Sequence, residues 1–355
     1  MVLPLVLAGL SCGVAALADD APVYPDKANL LVLRDGAGDE KPVESAEQWQ
    51  LRRKHILANM RKVMGPLPAA DRKVPLAVEV VEETEFPKYV RKKLTYAAHE
   101  GNRVPAYLLI PRARSGKLPA VLCLHPTEFR LGKGVAAGLG GKSDRHYAVH
   151  LAERGYVTLA PDYVAMGEYE YDPLANGFVS GTMLGIWNHM RGVDLLQSLP
   201  EVDGDRIGAV GHSLGGHNAM FVAAFDERIR CVVSNCGFNN FPKYYQGNLT
   251  GWAQDLYMPR IRTEYGLDPA QVPFDFPEVV AALAPRAFLA SAPLHDHNFD
   301  VTGVEDCIRA ARPVYRLLKA EEKLAANYPD CGHDFPDDAR KVAYEWLDRW
   351  LKDAP

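Results

Sequence analysis

Apolar positions along this chain change their period twice, and each change marks a new kind of element. Over 46–64, Trp49, Ile56, Leu57, Met60 and Val63 recur at helical spacing among Arg and Lys, and Gly65-Pro66-Leu67-Pro68 stops the run. The triplet Arg52-Arg53-Lys54 inside it reads as a solvated helix face. Over 76–111 the period drops towards two. Residues 78–82 and 90–98 alternate, His99-Glu100-Gly101-Asn102 reads as a hairpin turn, and 104–110 returns as a strand, so this stretch is an antiparallel edge. After Leu118-Pro119, short apolar runs at 120–124, 156–160, 207–210, 229–234, 287–290 and 324–328 predict buried strands. Helical segments at 147–154, 183–199, 218–225, 313–319 and 339–351 fall between or after them. That alternation predicts an α/β fold with a mostly parallel, doubly wound sheet and an active site at the carboxyl ends of its strands.

One of those strands runs into Gly211-His212-Ser213-Leu214-Gly215-Gly216 and then an Ala-rich helix. Gly-x-Ser-x-Gly between a buried strand and a helix is a nucleophile turn. Its glycines let strand and helix approach, and Ser213 is held out at the strand's carboxyl end. The Leu214 amide points to where an oxyanion would form. A serine hydroxyl still needs a base and an acid to orient that base. The base candidate is His333, in the Gly332-His333 pair between the last strand and the last helix. The acid candidate lies in the loop after 287–290: Asp296 first, because it comes early in that loop, and Asp300 second. The loop after 120–124 should give the other oxyanion donor, the Thr127 amide, because Pro126 has no N–H. Glu128 is expected to turn away from that point or to bind substrate.

Composition narrows the partners. Hydrophobic residues make up 48 % and charged residues 24 %, ordinary globular values, and the net charge of −5 argues against nucleic acid or an anionic membrane. Residues 1–18 are uncharged and apolar, and Ala16-Leu17-Ala18 before Asp19-Asp20 has the form of a signal-peptidase site. The expectation is therefore a secreted or periplasmic protein with no membrane contact after cleavage. Five cysteines would remain, Cys123, Cys231, Cys236, Cys307 and Cys331, which is no disulfide framework although one bridge could form. The expected organisation is a signal peptide (1–18), an N-terminal extension with one helix (19–73) and a catalytic domain (74–355). Within that domain, 235–278 breaks the alternation and is rich in aromatics. It reads equally as a lid above the site or as a loop packing its own rings.

With those residues in view, the chain resembles an alpha/beta-hydrolase fold serine hydrolase of the dienelactone hydrolase-like and acetyl xylan esterase-like branch. It is also similar to the catalytic domain of prolyl oligopeptidases. The resemblance rests on LCLHP (122–126), ERGYVTLAPDY (153–163), GHSLGG (211–216) and GHDFP (332–336). It implies Ser213 as nucleophile, His333 as base, Asp296 as acid and a carboxylic ester as substrate, either a small molecule or an oligosaccharide ester such as an acetylated or methyl-esterified polysaccharide fragment. No cofactor and no metal are implied. The chain departs from the pattern at His125-Pro126, where the family has His-Gly, and in carrying serine where dienelactone hydrolases carry cysteine. Three rivals remain. A peptidase could hold a substrate amine with Glu128 or Glu168. A metal-dependent hydrolase could draw on His295, Asp296, His297, Asp330 and His333. A non-catalytic binding module could use the same fold. His146, His150, His189, His212 and His217 read as packing or surface histidines, and Trp187 as core. Oligomeric state is not legible in the sequence.

Overall fold

The computed structural model describes residues 21–352, so the apolar leader expected at 1–18 lies outside the described residues. A hairpin of β1 (Val32–Arg34) and β2 (Glu40–Pro42) leads into α1 (Ala46–Met64). Helix α1 starts at a capping box in which Ser45 and Gln48 satisfy each other's backbone N–H groups. Strands β3 (Glu79–Glu85), β4 (Tyr89–His99), β5 (Asn102–Pro111) and β6 (Leu118–Leu124) follow, then α2 (Tyr147–Glu153), β7 (Val157–Pro161), α3 (Gly181–Ser198) and β8 (Val202–His212). The remainder is α4 (Leu214–Phe225), β9 (Ile229–Asn235), α5 (Arg260–Thr263), α6 (Phe276–Ala282), β10 (Ala287–Ser291), α7 (Val301–Leu317), β11 (Leu324–Asn327) and α8 (Asp337–Leu351).

Nine strands form one sheet in the order β11-β10-β9-β8-β6-β7-β5-β4-β3. From β7 to β11 every pairing is parallel, and β5, β4 and β3 add antiparallel at one edge. Side chains alternate across the sheet, as strand geometry requires. In β6, Leu122 and Leu124 join the core under α1, α3, α4 and α6, whereas Val121 and Cys123 join the core under α2 and α8. Edge strand β3 stays exposed and acidic, its glutamates paired to Lys92, Arg103 and Arg112 on the neighbouring strands.

Several expectations need correction. Helix α7 begins at Val301, where Asp300 caps it through the Thr302 amide at 2.8 Å, so Pro313 lies inside the helix and does not open it. The stretch 235–278 is not a bare loop; it contains short helical turns, and α6 begins within it. Phe238, Phe241, Trp252, Phe274 and Phe276 are all buried in the main core. The five cysteines are free thiols. Of the basic triplet of α1 only Lys54 is on a solvated face: Arg52 is fully buried and Arg53 nearly so. Arg52 meets Glu278 of α6 at 2.5 Å and covers the Tyr24 ring at 3.4 Å, while Arg53 reaches Glu227 and the carbonyls of Ala224 and Ala282. The N-terminal segment is thereby bolted to the catalytic core by charge.

Glu278 is fully buried, so removing its charge strands the Arg52 guanidinium. Glu278→Gln is expected to cost about 3–5 kcal/mol in urea unfolding, whereas Arg52→Met with Glu278→Leu should recover most of that loss. A single variant as stable as the parent would show that the pair does not anchor α1.

Candidate active site

The sequence around Ser213 can make only one kind of turn. A Cβ on Gly211 would run into the Gly215 backbone, and one on Gly215 into the Leu124 carbonyl. Ser213 joins β8 to α4 with φ 56° and ψ −118°, a backbone conformation that non-glycine residues rarely adopt. Its amide is spent on the Asn235 carbonyl at 2.9 Å. The hydroxyl is left at the wall of a cavity of about 260 Å³. Leu214 opens α4, so its amide is one of the first-turn N–H groups without a partner in the helix.

Asp296 and His333 come together as the sequence predicts. The His333 Nδ1 lies 2.9 Å from each Asp296 carboxylate oxygen. Both side chains are largely buried, Asp296 to 1 % exposure and His333 to 13 %. Burial alone would push the Asp296 carboxyl up, but the His333 bond and charge, with the amides of Asn298 and Phe299, hold it below the usual range. An ionised Asp296 fixes the proton on Nδ1 and leaves Nε2 as the basic nitrogen. Asp300, the second acid candidate, faces its own helix start instead. Among the described residues no hydrogen bond joins the Ser213 hydroxyl to the His333 ring. The ring stands 4.8 Å from that of His212, Ser213's neighbour, and 6.0 Å from Phe299, which lines the same cavity as Ser213. Hydrogen bonds of this kind commonly tighten only once substrate is bound.

Thr127 also lines that cavity. Its loop is held by His125, whose Nε2 accepts from the Tyr163 amide at 2.9 Å and whose Nδ1 donates to the Pro126 carbonyl at 2.6 Å. Further along, the buried Lys133 ammonium bonds Asp162 at 2.6 Å and Glu168 at 2.7 Å. Glu128 turns back to cap its own loop through the Arg130 and Leu131 amides, and Glu168 is shared between Lys133 and Lys93. Neither acid named for a peptidase is a free carboxylate at the cavity.

The cavity walls carry Tyr244, Trp252, Tyr257 and Phe299, with Phe129 60 % exposed. The polar groups are Thr127, His217, Gln254 and Asn298, and no charged side chain lines it. His217, which the sequence suggested was a packing or surface histidine, is therefore a wall of the site. Burial pushes its imidazole down to about 3, so it is neutral. Its place four residues after Ser213, one helical turn into α4, was the available signal. A larger groove of about 600 Å³ between 25–28 and 268–277 contains none of the predicted residues. Of the five residues named for a metal-dependent hydrolase, His295 pairs with Asp330 at 2.8 Å on the exposed rim and Asp296 with His333 at 2.9 Å, and among the described residues the ligand atoms that come within 4.8 Å of one another are those of Asp296, His333 and Cys236. Trp187 is core, its indole N–H donating to the Ala98 carbonyl at 3.1 Å.

Residues 176–319, which include Ser213 and Asp296, match a family model described as glucuronyl esterase, fungi. The protein YtaP of Bacillus subtilis is 26 % identical over 302 residues, spanning 82 % of this chain and 97 % of YtaP. Among solved structures, the glucuronoyl esterase from Solibacter usitatus superposes with TM-score 0.72 at 19 % identity, over 92 % of this chain and 98 % of that one. Acetyl xylan esterase 1 from Thermoanaerobacterium sp. JW/SL YS485 gives 0.56 at 20 % identity, over 83 % of this chain and 99 % of that one. The fold is that of the alpha/beta-hydrolases. The matched family model and these two solved neighbours are esterases.

The loop carrying His333 is pinned by a second carboxyl pair. Burial, then a hydrogen bond to Asp334, raises the Asp144 carboxyl to about 6. Asp334 is also desolvated, but the shared proton, Lys142 and the Phe335 amide hold it down. Arg145 stands 3.9 Å from Asp144 and 3.8 Å from Asp334, and donates to the His333 carbonyl at 3.4 Å. A carboxyl whose folded value lies above its unfolded one contributes stability below the unfolded value of 3.8, and loses it as pH rises through about 6. Asp144→Asn keeps a donor at every pH. It is expected to melt roughly two degrees above the parent at pH 8 and level with it at pH 4.5. A difference that does not change with pH would rule out the shared proton.

Proposed function

We propose that the chain cleaves carbohydrate-linked esters, with an ester of a glucuronate as first candidate, by a Ser213–His333–Asp296 acyl-enzyme mechanism. His333 takes the Ser213 proton as the hydroxyl attacks the ester carbonyl. The Leu214 and Thr127 amides donate to the developing oxyanion, and Asp296 balances the imidazolium. The alcohol leaves with the His333 proton, and water activated by the same ring releases the acid.

The observation that carries this reading is the cavity at Ser213: uncharged, aromatic on several sides and about 260 Å³ in volume. Aromatic faces take the apolar faces of a sugar ring, and neutral donors and acceptors take its hydroxyls. The family match over 176–319 supports a glucuronate ester, and the likeness to an acetyl xylan esterase keeps acetylated xylan as the second arm of the test. The leader at 1–18 supports action outside the cytoplasm, and no helix among the described residues is long and apolar enough to cross a membrane.

The purified enzyme is to be assayed on a glucuronate methyl ester, acetylated xylan, p-nitrophenyl acetate and dipeptide amides. Turnover of the glucuronate ester is expected, with kcat lowered by about 10³-fold or more in Ser213→Ala and in Asp296→Asn. Turnover of the amides with none of the esters would replace this reading with the peptidase one. Expressed in an exporting host, the chain is expected to begin at Asp19 by intact mass; retention of residues 1–18 in the exported protein would remove the cleavage site.

A further inference from the structure

The strand beside the nucleophile ends in a residue that the mechanism above does not use. Cys236 follows β9 directly. Its Sγ, an Asp296 carboxylate oxygen and a His333 ring nitrogen all lie within 4.8 Å of one another. The residue stands where three segments cross. Its amide donates to the Ser291 carbonyl at 2.9 Å, at the end of β10. Its sulfur lies 3.3 Å from the Asp334 carbonyl, next to His333. The Asn235 side-chain amide reaches the same sulfur at 3.3 Å and the Asp334 carbonyl at 3.0 Å.

The backbone points to a role for this side chain. Cys236 has φ 49°, in the left-handed region where glycine is at ease and other residues are strained. A thiol held there against a backbone preference is a side chain retained for what it touches. Burial and the Asp296 charge keep it protonated, so it is a donor with one hydrogen. Two acceptors compete for that hydrogen. The Asp334 carbonyl already receives the Asn235 amide. On Asp296, Oδ1 takes the Asn298 and Phe299 amides, at 2.8 and 3.2 Å, as well as the His333 bond, while Oδ2 has only His333. A carboxylate oxygen is also the stronger acceptor.

We infer that Cys236 is a positioning residue of the esterase: its S–H donates to the Asp296 carboxylate and holds it square to His333. This rests on the Ser213–His333–Asp296 reading. A donor on the carboxylate spreads its charge and weakens its hold on the imidazolium. Removing that donor leaves the Asp296 carboxylate more basic and less firmly placed against the His333 ring, which displaces the acidic limb of activity upward.

Cys236→Gly tests this, because it deletes the thiol while relieving the positive φ, and Cys236→Ser restores a donor. Activity on the best ester is to be followed against pH beside the parent, with Ser213→Ala as control. The Gly variant is expected to lose about tenfold in kcat at little change in KM, with the acidic limb of kcat/KM displaced upward by about half a pH unit. The Ser variant should recover most of both. A Gly variant as fast as the parent overturns the inference. So does one that slows with its acidic limb unmoved, or a Ser variant as slow as the Gly one, since either leaves Cys236 a packing residue. An active Ser213→Ala would instead bring down the mechanism itself, and the role of Cys236 with it.

Discussion

The whole site depends on how closely three backbones approach at one point. Gly215 of α4 packs on the Leu124 carbonyl at the end of β6, Gly211 of β8 packs on Gly215, and Gly216 lies against Gly237 just beyond β9, with no room for a Cβ at any of them. These contacts draw the carboxyl ends of β6, β8 and β9 together, and the price is a Ser213 backbone in a strained conformation. Once that knot is tied, little else is free to vary. The loop after β6 must pass beside the serine, which puts Thr127 at the cavity. Strand β10 pairs with β9 in parallel register, from Ala287 opposite Cys231 to Ser291 opposite Asn235, so the Asp296 loop leaves the sheet at the same level. Strand β11 repeats the step against β10 and delivers His333.

Electrostatics then follow from burial. Two imidazoles flank the nucleophile, His212 before it and His217 after it, and burial pushes both down, so neither carries charge near neutral pH. In the proposed mechanism, with no cation lining the cavity, a developing oxyanion is met by backbone amides, whose dipoles are fixed by α4 and by the loop that His125 and Lys133 hold down. Asp296 is the exception to the trend, because it is desolvated and yet held anionic by donors arranged around it. On the proposed mechanism the site separates its tasks: one charged relay behind the serine, and a neutral chamber in front of it.

Much of this was legible in the sequence, for physical reasons. A buried parallel strand announces itself as an apolar run, and a turn as tight as the one at Ser213 tolerates so few residues that its glycines are a signature. The loops holding Asp296 and His333 could be ranked because each follows such a strand. What could not be read was any property set by partners distant in the chain. Arg52 and Arg53 look like a solvated face until Glu278 and Glu227 are brought to them across more than 170 positions. Asp296 could be ranked above Asp300 only by its earlier place in the loop, and the start of α7 is what shows that Asp300 is a helix cap. Cys236 reads as one more small residue after a strand. Pro313 misled because proline favours the first turn of a helix, whereas α7 had already begun at Val301.

The aromatic stretch after β9 constrains how a ligand could reach Ser213. On its inner side Phe238, Phe241, Trp252 and Phe274 are at most 3 % exposed and belong to the main core. On its outer side Tyr244, Trp252 and Tyr257 form walls of the cavity. Swinging the segment away as one piece would bring those inner rings into water. At about 2–3 kcal/mol for each large side chain, the cost is on the order of 8–12 kcal/mol, comparable to the stability of an entire domain. Entry by whole-segment opening would therefore be local unfolding. Rotation of the exposed Phe129 at the cavity wall, and of half-exposed Tyr245, whose hydroxyl donates to the lining Asn298, costs far less and leaves the core intact. Under the proposed function, selectivity would rest on a chamber of nearly fixed shape, where a bound ring fits among side chains that the fold itself cannot release.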